Sequence, residues 1–140
     1  MKKLAVNKLS ANPRVGANYI LAMAQGQNRL SKTKEIQSVM KKGRAYYCPV
    51  FMIKVLKNTL GYMRFAIIVS NKVSKKATVR NLIKRRFREM MRLKVKAIKT
   101  GADLVILASP KIISQESGKA LPYKNLNEAL SVLLKKANLL

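Results

Sequence analysis

The pattern of apolar and polar positions along the chain predicts alternating helices and strands. The first periodic stretch lies between Ser31, a candidate capping residue, and Gly43, a residue type that commonly follows a helix end. Its apolar residues recur at helical spacing, and they are Leu30, Ile36, Val39 and Met40. The sequence therefore predicts a first helix that ends before Gly43.

Period-two alternation after this helix predicts strands. Residues 51–56 alternate between two faces, and we expect Pro49 at the start of this strand or on a sheet edge. Residues 62–70 form another such stretch. Because only a short turn at residues 58–61 joins the two stretches, we expect these strands to pair antiparallel.

The second half of the chain predicts a helix, a strand and a last helix. Residues 76–99 contain neither Gly nor Pro and predict a long helix. Residues 103–108 are a nearly continuous apolar run, which is typical of a strand buried on both faces. After a loop at residues 110–118, Pro122 is expected to open a helix whose apolar stripe is Leu126, Ala129, Leu130, Leu133, Leu134 and Ala137. The predicted fold is a single α+β domain with the order α-β-β(-β)-α-β-α.

The first part of the chain has a different character. Residues 1–27 carry four basic residues and no acid, together with several turn formers. Lys8 and Pro13 interrupt any apolar segment of the kind that a signal peptide needs. We predict a basic, mobile extension over residues 1–27 and a folded domain over residues 28–140. An organellar presequence and a translation start at Met23 remain as alternatives.

The charge balance makes a polyanion the expected partner. The chain carries 30 Lys and Arg residues against 5 Asp and Glu residues, a formal net charge of +25. Since 49% of the residues are hydrophobic, a disordered polycation is not expected. A compact domain with this much like charge repels itself and is stabilised when a polyanion neutralises it. Nucleic acid is the first expectation and an anionic membrane surface is the second.

The residue inventory excludes most catalytic chemistry. The chain has no His and a single Cys, Cys48, so neither a histidine base nor a Cys/His metal cluster is available. The acids are scattered singly, as Glu35, Glu89, Asp103, Glu116 and Glu128. A two-metal nuclease needs carboxylates that converge on ions about 4 Å apart. We therefore expect no catalytic residue and no metal site, and the unpaired Cys48 is consistent with a reducing cytoplasm.

The predicted long helix is amphipathic and strongly basic. Residues 71–99 contain twelve Lys and Arg residues and one acid, Glu89. One face is predicted to be apolar, with Val79, Ile83, Phe87, Met90, Leu93 and Ala97, and the opposite face carries Asn81, Lys84, Arg85, Arg88, Arg92 and Lys96. Ordinary solvated faces mix Glu with Lys at helical spacing, which this one does not. We therefore interpret the helix as a polyanion-binding element rather than a solvated face.

The kind of polyanion follows from the context of the helix. A helix that lies on a membrane usually stands apart from a fold, whereas this one is embedded between strands that need its apolar side. Arginine binds phosphate oxygens through two parallel hydrogen bonds, and an asparagine amide binds sugar hydroxyls or base edges. RNA or DNA is therefore favoured over lipid, and no membrane partner is expected.

The segment FAIIVSNKVSKKATVRNLIKRRFRE, at residues 65–89, resembles the signature of the bacterial ribonuclease P protein component. That signature has a strand that ends in Ser, a Lys-rich loop, and a helix that opens Arg-Asn-Arg and continues with a Lys-Arg pair. Residues 28–30 (NRL), Lys42-Gly43 and the strand at residues 103–108 match as well. The resemblance runs from about residue 28 to the end of the chain.

The resemblance implies a fold like the second domain of ribosomal protein S5, with a left-handed βαβ crossover. It implies that the chain is a subunit of the endoribonuclease ribonuclease P, whose catalytic RNA uses Mg²⁺ to remove the 5′ leader of precursor tRNA. The expected partners are then this RNA and precursor tRNA in the cytoplasm, with no required protein partner and no cofactor bound tightly by the protein.

The resemblance also implies the RNA-binding residues. They are Lys72, Lys75 and Lys76 in the loop and Arg80, Asn81, Lys84, Arg85, Arg88 and Arg92 on the helix. Leu82 departs from the family pattern, which usually has Arg or Lys at this position. Arg86, one turn further along, either serves the phosphate that residue 82 would have bound or only packs alongside the core.

A second set of positions corresponds to the cleft that holds the leader in the family. They are Ile36, Met40, Phe51 and Lys54. Ile36 and Met40 stand where relatives commonly have Phe, and Lys54 stands at another commonly aromatic position. Stacking of a ring on a base contributes about 1–3 kcal/mol, so this cleft is expected to use more charge and less stacking. Ordinary core packing of Ile36 and Met40 is the alternative.

Two other classes compete with this hypothesis. A ribosomal protein, or another protein that binds structured RNA without a nuclease role, shares the small size and the basic character. A DNA-binding protein usually has a short recognition helix and a dimer seam, and the sequence has neither.

Overall fold

A mixed four-stranded sheet forms the centre of the part of the chain that the computed structural model describes, residues 28–98 and 100–140. Its helices and strands, in chain order, are α1 (Thr33–Lys42), β1 (Arg44–Tyr47), β2 (Phe51–Lys57), β3 (Arg64–Ile68), α2 (Ala77–Lys94), β4 (Ala102–Ala108), a 3-10 turn (Pro110–Ile112) and α3 (Tyr123–Lys136). The predicted order is confirmed, and β1 is the optional third strand before the long helix. The predicted extension over residues 1–27 lies outside the described residues.

The strand order, β1-β2-β4-β3, corrects one prediction. We expected β2 and β3 to pair antiparallel, but β4 lies between them, antiparallel to β2 and parallel to β3. Ile106 is opposite Ile53 on one side and Ile67 on the other. The most apolar strand thus takes a central position, where neighbouring strands satisfy its backbone on both sides. β3, α2 and β4 form the parallel βαβ unit for which the resemblance implies a left-handed crossover.

The two faces of the sheet are covered by different helices. On one face, α2 and α3 pack over Leu104 and Ile106 of β4 in the larger hydrophobic core. On the other face, α1 packs over Val105 through Val39. The prediction that this strand is buried on both faces is therefore confirmed.

The ends of the elements follow the sequence signals only in part. Lys32, not Ser31, precedes α1, and it makes no capping side-chain hydrogen bond, so the predicted cap was wrong. Gly43 does follow α1, but its φ of −69° is open to any residue. A glycine is needed there because a Cβ atom would run into the carbonyl oxygen of Val39. Pro122 lies one position before α3 and does not open it.

The apolar stripe of α2 is rotated slightly from the predicted one. Ile83, Phe87 and Met90 are buried as expected, and Met91 joins them. Leu93, which was assigned to the apolar face, is 58% exposed, and that assignment was wrong. The helix ends at Lys94, and burial of Met91 moves the centre of the stripe away from Leu93. Ala97 lies in the turn after the helix and is exposed, which corrects its assignment too.

Candidate RNA interface

The cationic face of α2 is held outward by the docking of its apolar face. Phe87 packs edge-on against Phe51 of β2, with ring centroids 5.1 Å apart, and this fixes the rotation of the helix about its axis. The residues that consequently face solvent are Asn81, Arg85, Arg88, Arg92 and Lys96, while Lys84 is half-buried at the border. The structure thus brings the predicted helix residues onto one surface, which we call the cationic stripe (residues 81, 84, 85, 88, 92 and 96).

The loop before α2 places three further lysines beside the start of this stripe. Val73 is buried and anchors the loop, and the Ser70 and Ser74 hydroxyls accept hydrogen bonds from the backbone N–H groups of Lys72 and Lys76. All three loop lysines predicted to bind RNA, Lys72, Lys75 and Lys76, are exposed. No acid lies in the first turn of α2, so the partial positive charge of the helix N-terminus adds to that of the lysines.

Arg80 joins the loop to the helix. Its side chain is half-buried, and Nη1 donates a hydrogen bond to the carbonyl oxygen of Ser74 at 2.9 Å. At least one donor of this predicted RNA-binding residue is therefore used within the protein.

Arg86 is directed to a different neighbour. Its Nη1 donates to the carbonyl oxygen of Leu121, in the segment that leads into α3, at 2.8 Å. Two hypotheses were given for Arg86. This geometry favours packing alongside the core over binding of RNA phosphate as part of the cationic stripe. Leu82, at the position where the family usually has a cation, is half-buried.

Three of the four predicted cleft residues lie together on the α1 face of the sheet. Ile36 and Met40 pack against the smaller core beside Val105, as the packing alternative required. Lys54 extends from β2 to the end of α1, where its Nζ donates to the carbonyl oxygen of Met40 at 2.5 Å. This ammonium thereby satisfies one of the free carbonyls at the helix C-terminus.

Phe51 does not lie with these residues. It is 1% exposed and belongs to the larger core, on the opposite face of the sheet. Its assignment to the leader cleft was therefore wrong. The reason is readable in the sequence, because successive side chains of a strand point to opposite faces and Phe51 and Lys54 are an odd number of positions apart.

A groove between the cationic stripe and the edge of the sheet was not predicted. The segment at residues 28–30 pairs with β3, where the N–H of Phe65 donates to the carbonyl of Asn28 at 2.7 Å. Two adjoining cavities, of about 560 and 470 Å³, lie between this edge and α2 and share Arg29, Phe65 and Arg88. Arg29 and Phe65 were missed because only their neighbours in space give them a role, although Arg29 is part of the matched NRL segment.

Comparison with known proteins agrees with this architecture. The sequence model of the family described as Ribonuclease P matches residues 24–138. The chain belongs to the ribonuclease P protein family. The ribonuclease P protein component of Fusobacterium nucleatum is 36% identical over 113 residues, which are 81% of this chain and 99% of that relative. The resemblance drawn from the sequence is confirmed.

Solved structures of the family share the fold. The RNase P protein of Thermotoga maritima matches with a TM-score of 0.66 and 29% identity, over 76% of this chain and 96% of that one. A mutant RNase P protein of Staphylococcus aureus matches with a TM-score of 0.73 and 24% identity, over 87% of this chain and 98% of that one.

Two of the acidic side chains are bound to one arginine. Arg64 binds Asp103 through Nη2 at 2.7 Å and through Nε at 2.9 Å, and it binds Glu35 at 3.0 Å. The hydrogen bond to Asp103 is the main reason why the pKa of Arg64 is raised. Within residues 28–98 and 100–140, no group of three or more His, Cys, Asp or Glu residues could hold a metal ion. In the same ranges, no helix has the length and apolar character that crossing a bilayer requires.

Proposed function

We propose that this chain is the protein subunit of ribonuclease P and binds the catalytic RNA through the cationic stripe and the loop before it. The observation that carries the proposal is the one-sided charge of α2. Its exposed cations face away from the sheet, and Glu89 is the one acid within the helix. Such a surface attracts the phosphates of a folded RNA, and each phosphate contact releases counterions.

The chemistry of the reaction is assigned to the RNA. The acids that are buried or half-buried, Asp103 and Glu35, are bound to Arg64 and hold the fold together. Mg²⁺ is accordingly expected to act in the RNA subunit, and no cofactor is assigned to the protein. The protein lowers the charge repulsion between the catalytic RNA and precursor tRNA, in the cytoplasm and without a further protein partner.

The 5′ leader of precursor tRNA is proposed to run along the α1 face of the sheet. Ile36, Met40 and Lys54 lie there, and none of them offers an aromatic ring. The ammonium of Lys54 is bound to α1. We therefore expect this face to bind the leader weakly and with little preference for the nucleotide sequence of the leader.

Cleavage assays test whether the catalytic groups belong to the RNA and not to the protein. Protein freed of RNA should not cleave precursor tRNA with any divalent metal, and addition of a cognate catalytic RNA at low Mg²⁺ should restore cleavage. Cleavage by the protein alone would contradict the proposal. The RNA that co-purifies with the chain tests the rival class, because whole ribosomal subunits would identify a ribosomal protein.

Paired substitutions test the interface. Replacing Arg88 and Arg92 with Gln should flatten the slope of log K against log salt for the catalytic RNA by roughly 1.4–1.8, the equivalent of two phosphate contacts. Replacing Lys135 and Lys136 with Gln removes the same charge at the end of α3 and should leave the slope nearly unchanged. Equal slopes for the two double variants would contradict the assignment of the interface to α2.

A further inference from the structure

The larger cavity of the groove combines an apolar floor with a charged rim. Its volume is about 560 Å³, within the range of about 300–1,000 Å³ that is usual for sites that bind small organic groups. Phe65 and Val95 supply the apolar floor. The rim is formed by Asn28, Arg29, Arg85, Arg88, Glu89 and Arg92. An aromatic ring beneath a rim of guanidinium groups suits a flat base that is attached to phosphate.

Glu89 is the unexpected member of this rim. It is exposed, and although Arg85 and Arg92 lie one turn before and after it, it forms no salt bridge within the described ranges. Glu35 and Asp103, by contrast, are both bound to Arg64. A carboxylate among cations weakens general attraction to phosphate. It is useful where a ligand presents hydrogen-bond donors, because an ionised carboxylate only accepts them.

The base that best fits a carboxylate is guanine. Its Watson–Crick edge presents two adjacent donors, the N1–H and the 2-amino group, which the two oxygens of one carboxylate accept together. Adenine and cytosine place an acceptor next to their amino group, and uracil places its single N–H between two carbonyls. A carboxylate at the edge of a stacking pocket therefore selects guanine over the other three bases.

We propose that this cavity binds one unpaired guanine of an RNA strand, with its ring against Phe65 and its Watson–Crick edge on Glu89. The phosphates of that nucleotide lie on the cationic stripe at Arg85 and Arg92. Arg88 also lines the adjoining cavity, so the strand continues into it without leaving the groove. The inference rests on the proposed function, that the chain binds RNA through α2, and adds a base preference to it.

Binding of short single-stranded RNAs to the full-length protein tests this inference. The probes are oligouridines with one central guanosine, adenosine or inosine, and affinity is measured by fluorescence anisotropy. Guanosine should bind about tenfold tighter than adenosine, the effect of one bidentate base contact. Inosine, which keeps the N1–H and lacks the 2-amino group, should fall between them. Equal affinities for guanosine and adenosine would overturn the guanine assignment, whereas absence of binding to every RNA would overturn the proposed function as well.

Two matched variants separate recognition from charge. Glu89→Gln should reduce the guanosine preference to near unity while binding of the adenosine probe stays equal or strengthens, because one negative charge is removed. Glu128→Gln, the same change on α3, should keep the full preference. A preference that survives Glu89→Gln would overturn the assignment. Guanosine monophosphate should compete only weakly with the guanosine-containing RNA probe. Competition at micromolar concentration would contradict the proposal and assign the cavity to a free nucleotide instead.

Discussion

Arg86 of α2 donates a hydrogen bond from Nη1 to the carbonyl oxygen of Leu121, at 2.8 Å, and so connects α2 to the segment that leads into α3. Both residues are half-buried. The guanidinium of Arg86 thus forms a hydrogen bond within the protein, on the side of α2 that faces α3. This hydrogen bond favours the hypothesis that Arg86 packs alongside the core over the hypothesis that it replaces the cation that the family usually has at position 82.

Substitution of Arg86 should change stability and not RNA binding. Arg86→Leu removes one hydrogen bond and leaves a half-buried carbonyl without its donor, which costs about 1 kcal/mol and lowers the melting temperature by a few degrees. The slope of log K against log salt for RNA binding should stay unchanged. Both quantities are measured on the same preparation.

Arg85→Leu is the matched control for this prediction. Arg85 is the adjacent residue on the cationic stripe and is exposed, so its loss should flatten the salt slope by roughly 0.7–0.9 and leave the melting temperature nearly unchanged. If Arg86→Leu flattened the slope as much as Arg85→Leu, the hypothesis that Arg86 serves the stripe would be restored.

The ion pair between Arg64 and Asp103 should dominate the polar contribution to stability. The two side chains are 17% and 10% exposed, and Asn58 donates a further hydrogen bond to Asp103 at 2.8 Å. Arg64→Met leaves Asp103 largely buried without its charge partner, which costs roughly 3–5 kcal/mol. The free energy of unfolding in urea measures this loss.

Glu35→Gln provides the comparison on the same arginine. The Glu35 side chain is 34% exposed, so its pairing with Arg64 is screened by solvent and its loss should cost under about 1 kcal/mol. Losses of similar size in Arg64→Met and Glu35→Gln would contradict the view that Asp103 is the principal partner.

Lys94 should give the domain a pH dependence on the alkaline side. Burial lowers the pKa of Lys94 below its ordinary value of 10.5. Below pH 10.5 and down to the lowered pKa, the unfolded state therefore binds more protons at this residue than the folded state, so its contribution to stability rises with pH. The free energy of unfolding of wild type and of Lys94→Met is to be measured as a function of pH. As the pH rises across that window, the difference between them should change in favour of wild type.

Lys96→Met is the control for the loss of a positive charge near the end of α2. Lys96 is exposed just after the helix ends, and its substitution should change the free energy of unfolding little at neutral pH. A flat difference for Lys94→Met would show that its hydrogen bond to Asn127 of α3 offsets the effect of burial.

The elements that were predicted correctly are those whose signal is local. The alternation of charge and apolar residues in α2 defines its two faces, and the nearly continuous apolar run of β4 defines a strand buried on both sides. The position of β4 between β2 and β3 was not predictable from the short turn that joins those strands. That position depends on pairing between residues far apart in the chain, which local patterns do not encode.

The same distinction between local and long-range signals explains which parts of the candidate site could be predicted from the sequence. The residues of the cationic stripe follow from helical periodicity, whereas the pairing of Arg64 with Asp103 joins positions 39 apart. The cavity beside Phe65 likewise needs the segment at residues 28–30 to pair with β3 across from α2. The error at Phe51 is of another kind, because the alternation of a strand already assigned that residue to the face opposite Lys54.

The boundary between the extension and the domain should lie directly before Asn28, because Asn28 already has structural contacts. Its side-chain Nδ2 donates to the carbonyl of Met63 at 2.7 Å, and its own carbonyl accepts the N–H of Phe65. We propose that residues 28–140 carry the RNA-dependent activity. Deletion of residues 1–27 should therefore leave the melting temperature unchanged and cleavage with the catalytic RNA nearly intact.

A deletion three residues longer is the sharpest comparison for this boundary. Removal of residues 1–30 also takes Leu30, which is 2% exposed and packs in the smaller core, and frees the edge of β3 at Phe65. Loss of a buried Leu side chain costs about 2–5 kcal/mol, so this variant should melt well below the shorter deletion and lose activity at temperatures that the shorter one withstands. If removal of residues 1–27 alone abolished most of the affinity for RNA at an unchanged melting temperature, the basic extension would be a working part of the interface and the proposed boundary would be wrong.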